Sequence, residues 1–295
     1  MNLLIIGNGF DLGCGLRTSY STFGDWMESN HQEIASYFYE MGLVNLHSQE
    51  NESLWMNFEN ALSCIVPNDI ADYSLLYQEK LNNLDDYLKE FIEFAQDEVE
   101  IEKKFMYLLS DFCGVILSFN YTQTPNKVGY VGEVIHIHGT LDTEVVIGHN
   151  RTIDFSDPEG DYFMSLYELA EEELGNPYRI DELSELCGNI SGRYLKNFED
   201  NYTAAKRKIG DLEFDKIIVC GHSYNDIDRR YFEYINEDHH NAQWIFTIFE
   251  DGGGNETRAR EYEKLLGFRL PAKYVKYTNI FELYDYFKCN SSQGH

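Results

Sequence analysis

The 295-residue sequence predicts an α/β protein built on a mainly parallel sheet with helices on both faces. Three observations carry this. Short apolar runs bounded by glycine recur, as buried parallel strands do. Stretches with helical periodicity alternate with them. Polar residues able to do chemistry follow directly on four of the runs, and open parallel sheets bind their ligands outside the carboxyl ends of the strands.

Leu3-Leu4-Ile5-Ile6 is the first strand, closed by Gly7-Asn8-Gly9. From about 20 to 110 no strand interrupts the helical patterning, which reads as a helical insertion. Trp55, Phe58, Glu59 and Leu62 share one helix face there, and Leu81, Leu84, Leu88 and Phe91 another. Strands are expected again at 115–119, 134–138 and 145–148. A second helical segment covers about 160–210. Strands at 216–220, 244–249 and 274–277 complete the sheet, with helices at about 258–266 and 281–287. We read 1–295 as one α/β domain carrying the two helical segments.

Asp and Glu number 51 against 23 Lys and Arg, a formal charge of −28. Such a field repels phosphate backbones and anionic membranes, so neither nucleic acid nor a membrane is an expected partner. Lys206, Arg207 and Lys208 form the densest basic cluster and read as a solvated helix face. The six cysteines form no CxxC pair and no Cys/His cluster with zinc spacing, so no metal is expected. Cys113 and Cys220 read as small core residues, and scattered cysteines suit a reducing compartment. Met1 leads quickly into an apolar strand rather than a signal peptide, and no run is long enough to span a bilayer. The expected location is the cytoplasm.

Gly7-Asn8-Gly9-Phe10-Asp11 allows backbone to approach a phosphate at a strand-to-helix turn. The alternative is a turn that simply needs glycine, with Asp11 as a helix cap. Leu12 stands where a full GxGxxG has its last glycine, and the region that follows is helical, which argues against an ordinary Rossmann dehydrogenase. Asn120, in Phe119-Asn120-Tyr121-Thr122, offers both donor and acceptor to ribose hydroxyls or a water, or else closes the strand as an Asx turn. In His136-Ile137-His138-Gly139, strand alternation is taken to put the two imidazoles on opposite faces. His138 is then expected at the cleft as a base, and His136 is expected to point away. Gly221-His222-Ser223 follows another strand and offers amides and a hydroxyl to a second phosphate, while Asp226 or Asp228 is expected to cap the next helix. The second glycine of a GxSxG serine-hydrolase elbow is missing.

Taken in order, these stretches resemble the AbiH family of bacteriophage abortive-infection proteins. They include Leu4-Ile5-Ile6-Gly7-Asn8-Gly9-Phe10-Asp11-Leu12, Gly15-Leu16-Arg17-Thr18-Ser19-Tyr20, Glu59 and its neighbours, Phe119-Asn120-Tyr121-Thr122, His136-Ile137-His138-Gly139 and the stretch from Gly221 to Asp228. Arg17 stands where the family usually has proline. The family is in turn similar to the sirtuin-like fold, a Rossmann-type sheet that binds NAD. That similarity implies a dinucleotide held by Gly7, Asn8, Gly9, Gly221, His222, Ser223 and Asp228, with Asn120 and His138 at the nicotinamide ribose. The four-cysteine module of sirtuin deacylases has no counterpart here, whereas sirtuin-like defence proteins hydrolyse NAD. The expected activity is cleavage of the nicotinamide–ribose bond, with Asn120, His138 and Asp11 as catalytic residues and no metal. The alternative is a nucleotide-sensing module that triggers defence by assembly. A phage trigger protein and a second copy of the chain are the partners these readings imply.

Overall fold

The structure, a computed structural model, describes residues 1–40, 58–63, 83–97, 105–160, 162–172, 175–249, 252–278 and 280–288. Two compact units are present. The first comprises Met1–Thr18, Ile92–Val145 and Asn197–His295, and the second comprises Ser19–Phe91 and Val146–Lys196.

The first unit holds six strands: β1 (Asn2–Ile6), β2 (Gly114–Ser118), β3 (Val134–His136), β4 (Lys216–Cys220), β5 (Gln243–Ile248) and β6 (Lys273–Lys276). They lie in the order β3-β2-β1-β4-β5-β6, and every pairing is parallel. This is the order of doubly wound sheets that bind dinucleotides where the winding reverses, between β1 and β4.

Alternation along the strands feeds two cores. Leu3, Ile5, Leu117, Ile217, Val219, Trp244 and Phe246 face one side, with Tyr202, Tyr231, Phe232 and Tyr262 from the helices Phe198–Ile209, Arg229–Asp238 and Gly254–Leu266. Leu4, Ile6, Ile116, Ile218, Cys220 and Ile245 face the other, with Phe10, Leu108, Leu283 and Phe287. Burial on both faces is why these strands read as continuous apolar runs.

Two sequence expectations are corrected here. Residues 145–148 form no strand. The sheet ends at β3, and the chain passes there from the first unit to the second. In the second unit Gly148 presses on the carbonyl of Tyr194, and His149 makes a single bridge to Leu195 instead. Cys113 is exposed, because it precedes β2 rather than belonging to it, while Cys220 is buried as expected.

The regular structure described in the second unit is helical. Ser19 caps Tyr20–Asn30 by accepting the Thr22 N–H at 3.1 Å. The rings of Phe23, Phe58 and Phe91 pack together, with Phe23 6.2 Å from Phe58 and 5.2 Å from Phe91. Trp55 and Leu81, expected on these faces, lie outside the described residues. Glu59 meets the buried Lys196 ammonium at 3.1 Å. His149 donates to Ser191 O through Nε2 (2.9 Å) and accepts the Arg151 N–H at Nδ1 (3.2 Å), so both ring nitrogens are used in holding that loop. Burial keeps this imidazole below its usual range. A cavity of about 330 Å³ in this unit is lined by Asp154, Asp181 and Glu185 among others, a wall that repels an anionic ligand. No described helix is long and apolar enough to cross a membrane.

Candidate active site

Register makes the site. Ile6 lies opposite both Ser118 and Cys220, and Ser118 lies opposite His136. Four strands therefore stop in one row, and the segments after them emerge side by side at the carboxyl edge.

The β1 and β4 exits interlock. Gly9 N–H donates to Gly221 O at 2.7 Å, Gly7 N–H to Cys220 O at 3.1 Å, and Gly221 N–H to the Thr247 hydroxyl at 3.1 Å. A Cβ on Gly9 would stand 2.7 Å from Gly221 O, and one on Gly221, at φ +72°, would meet Gly9 C at 2.6 Å. These glycines let two loops touch backbone to backbone at the switch point. Their amides are engaged within the protein, so what they offer a ligand is close approach rather than donors. Asn8 and Ser223 are exposed beside them. Asn8 Oδ1 accepts from the Thr18 hydroxyl at 2.6 Å, and Ser223 O accepts from Arg258 Nε at 2.9 Å.

Asn120 is buried at the end of β2 and donates through Nδ2 to Gly7 O at 3.0 Å, tying β2 to β1. Its carbonyl faces His136 Nδ1 at 2.9 Å. Burial lowers the pKa of His136, though that contact works against the shift. His138 lies elsewhere, edge-on to Phe119 at 5.4 Å and to Tyr231 at 5.6 Å. The two histidines make different contacts, and alternation is not the reason, since it puts positions two apart on the same face. They separate because β3 ends at His136 and the chain turns before Gly139 at φ +79°.

Asp228 completes the cluster. Its Oδ1 lies 3.6 Å from His138 Nε2 and its Oδ2 3.4 Å from His222 Nε2. The capping expectation fails here. Neither the turn Asp226–Asp228 nor the helix after it has a side-chain cap bond, and Asp226 pairs instead with Arg229 at 2.9 Å. His222 Nδ1 accepts the Tyr224 N–H at 2.9 Å. A neutral ring accepting at Nδ1 carries its proton on Nε2, the nitrogen nearest Asp228.

Asp11 is no cap either. Gly7 occupies the N-cap position, and the Asp11 carboxylate accepts from the Thr122 hydroxyl at 2.6 Å, with Thr124 bonded behind it at 2.9 Å. Its Oδ1 accepts no hydrogen bond among the described residues. Burial pushes this carboxyl up to about 6, against the hydrogen bonds from Thr122, Thr124 and Asn120 and the charge of Lys127.

A family model, bacteriophage abortive infection AbiH, matches residues 3–248, from β1 through the last residue of β5. The chain belongs to the AbiH family. It is thus an abortive-infection protein of anti-phage defence. A comparison with curated proteins finds no match. Every strand exit described above falls inside the AbiH match, whereas Asn255, Arg258 and Tyr262 lie beyond it.

Sequence reasoning gave no role to several residues that hold this AbiH site. Phe119 stands edge-on to both His138 and His222, at 5.4 and 5.2 Å. Tyr224 has φ +55°, the one positive value recorded at a non-glycine residue described here, and its hydroxyl donates to Thr247 O at 2.8 Å. Asn255 Nδ2 donates to His222 O at 3.2 Å while its Oδ1 accepts the Phe249 N–H at 3.0 Å. Only the Gly252-Gly253-Gly254 turn before Asn255 hinted at a close approach.

The raised pKa of Asp11 gives a stability prediction. The folded state holds this proton to higher pH than the unfolded one, so it binds more protons between about pH 4 and 6. Stability should therefore fall as pH rises through that window and level off above it. A carboxyl moved from 3.8 to about 6 carries about 3 kcal/mol against ionisation, at about 1.4 kcal/mol per pH unit. Asp11→Asn keeps an acceptor for Thr122 and removes the charge. It should raise the melting temperature at pH 8 and flatten the decline between pH 4 and 6. Melting curves of both proteins at several pH values check this, and an unchanged slope would refute it.

Proposed function

We propose that the chain binds NAD at the carboxyl edge between β1 and β4 and hydrolyses the nicotinamide–ribose bond as its anti-phage act. The observation that carries this is that Asn120, tied to Gly7 O at the switch point of a dinucleotide-type sheet, follows Phe119, whose ring stands edge-on to both His138 and His222. The likeness of the AbiH motifs to sirtuin-like NAD sites supports it.

In this reading Gly7, Asn8, Gly9, Gly221 and Ser223 carry the dinucleotide, with glycine giving the backbone clearance. Asn120 orients the ribose hydroxyls and the attacking water. Water adds to C1′ of the ribose, and the bond to nicotinamide breaks with its electron pair leaving on the ring nitrogen. The proton of the water passes to His138. Ionised Asp11 stabilises the positive charge that develops on the ribose. ADP-ribose, nicotinamide and a proton are the products.

A second reading, nucleotide sensing without turnover, has one observation in its favour. Asn120, His138, His222 and Asp228 are all less than a tenth exposed, at 6%, 4%, 3% and 8%. Incubating the pure protein with NAD and following nicotinamide release, alone and with phage extract, separates the two. Release under either condition supports hydrolysis. Binding of NAD without release under both supports sensing.

A further inference from the structure

The backbone carbonyl of Asn120 accepts two hydrogen bonds, from the Ser118 hydroxyl at 3.2 Å and from His136 Nδ1 at 2.9 Å. The Asn120 N–H donates to the same Ser118 hydroxyl at 3.1 Å. Ser118 and His136 can share this work because they lie opposite each other in the register of β2 and β3. Both polar backbone groups of Asn120 are thus held by side chains beyond the end of β2, and its own side chain reaches across to Gly7 O at the β1 exit. A backbone carbonyl can only accept, so His136 Nδ1 carries the hydrogen. Burial disfavours the charged ring, which leaves Nε2 bare. That nitrogen is buried and has no hydrogen-bond partner among the described residues. An apolar side chain would fill the same place without a buried acceptor left unpaired. The bond to Asn120 is what the histidine adds.

We propose that His136 is the positioning residue for Asn120. Through Nδ1–H it clamps the Asn120 carbonyl together with Ser118, and the clamp fixes the direction in which the Asn120 side chain leaves the sheet. His136 then acts through Asn120 and needs no contact with a ligand of its own. Its effect on turnover rests on the reading of Asn120 as the group that orients the ribose of NAD.

Two variants separate the nitrogens. An asparagine amide reaches the place of the imidazole Nδ1, and a glutamine amide that of Nε2, so His136→Asn keeps the clamp and His136→Gln breaks it. In full-length protein carrying ¹⁵N-labelled histidine and asparagine, long-range ¹H–¹⁵N spectra near pH 8 should show His136 of the parent protonated on Nδ1. The side-chain amide signal of Asn120, identified by its loss in Asn120→Ala, should move in His136→Gln and stay near its parental place in His136→Asn. With NAD as substrate, His136→Gln should lower kcat by roughly tenfold to a hundredfold with KM within a few-fold, and His136→Asn should recover most of that loss. A parent protein with His136 protonated on Nε2 overturns the proposal, and this outcome does not depend on any variant folding. So does an Asn120 amide that stays in place in His136→Gln. Turnover kept in His136→Gln and lost in His136→Asn would make Nε2 the working atom and overturn it as well. If the parent releases no nicotinamide, alone or with phage extract, hydrolysis falls, and the His136 tautomer and the Asn120 amide still decide whether the clamp exists.

Discussion

Replacing His138 or Asn120 is expected to remove nearly all NAD turnover. Loss of a general base lowers the rate by about a hundredfold to ten-thousandfold, so His138→Ala should fall in that range. Asn120→Ala removes the group that orients the ribose, and misplaced reactants lose about a hundredfold or more. Asn120 also donates to Gly7 O at 3.0 Å, so its removal should cost about 1 kcal/mol of stability as well. Assays should therefore run well below the melting transition. His138→Gln, which keeps more of the buried volume, should be as inactive as His138→Ala. Cys113→Ala serves as the control, because the side chain is exposed, and it should change neither rate nor melting appreciably. Nicotinamide release and thermal melting for the parent and these variants are the measurement. Parental turnover in both the His138 and Asn120 variants would rule out this mechanism.

Gly221→Ala is expected to destabilise the fold strongly. The residue has φ +72°, which an L side chain adopts at a penalty of about 1 kcal/mol or more. The new methyl would also run into Phe10 N and stand 2.6 Å from Gly9 C, both backbone atoms that cannot turn aside. Overpacking of this kind costs about 1–3 kcal/mol on its own. Together these effects should lower the melting temperature by roughly 5–15 °C, at about 2–4 °C per kcal/mol for chains of this general size. Gly188→Ala makes the contrast. That glycine lies inside the helix Ile180–Arg193 with open space around it. Alanine there should stabilise by about 0.5–1 kcal/mol. Calorimetry of the two variants should give shifts of opposite sign, and a Gly221→Ala protein melting with the parent would refute the interlock.

The sheet was legible because strands buried on both faces leave unbroken apolar runs such as Leu3-Leu4-Ile5-Ile6. Residues 145–148 show the limit of that signal, since Val145 and Ile147 are buried without joining the sheet. The positions of Asn120, His138 and His222 followed from the rule that ligands gather at carboxyl ends, with no knowledge of contacts. Asp228 was legible as a polar residue at a helix start, and there the local habit of aspartate as a cap is the better bet. Only the register of β1 to β4 brings the β3 and β4 exits, and with them two imidazoles, up to it. His136 and His138 part because β3 ends at His136, short of the expected end at 138, so the alternation of a strand never reaches His138. Tyr224 carried no signal at all, because nothing in its type announces a left-handed backbone.

The pairing of β1 also governs when the molecule becomes functional. Asn2 finds one neighbour at Gly114 and the other at Lys216, so the central strand waits for distant parts of the chain. Contacts this far apart in sequence make for slow folding. During synthesis, Asn120 and His138 leave the ribosome well before His222 and Asp228, and the Gly9–Gly221 bond cannot close until β4 has been made. If the protein hydrolyses NAD as proposed, a cell making it would thus meet the assembled site only in nearly complete chains. Nascent or prematurely terminated products ending before β4 would lack the chemistry altogether.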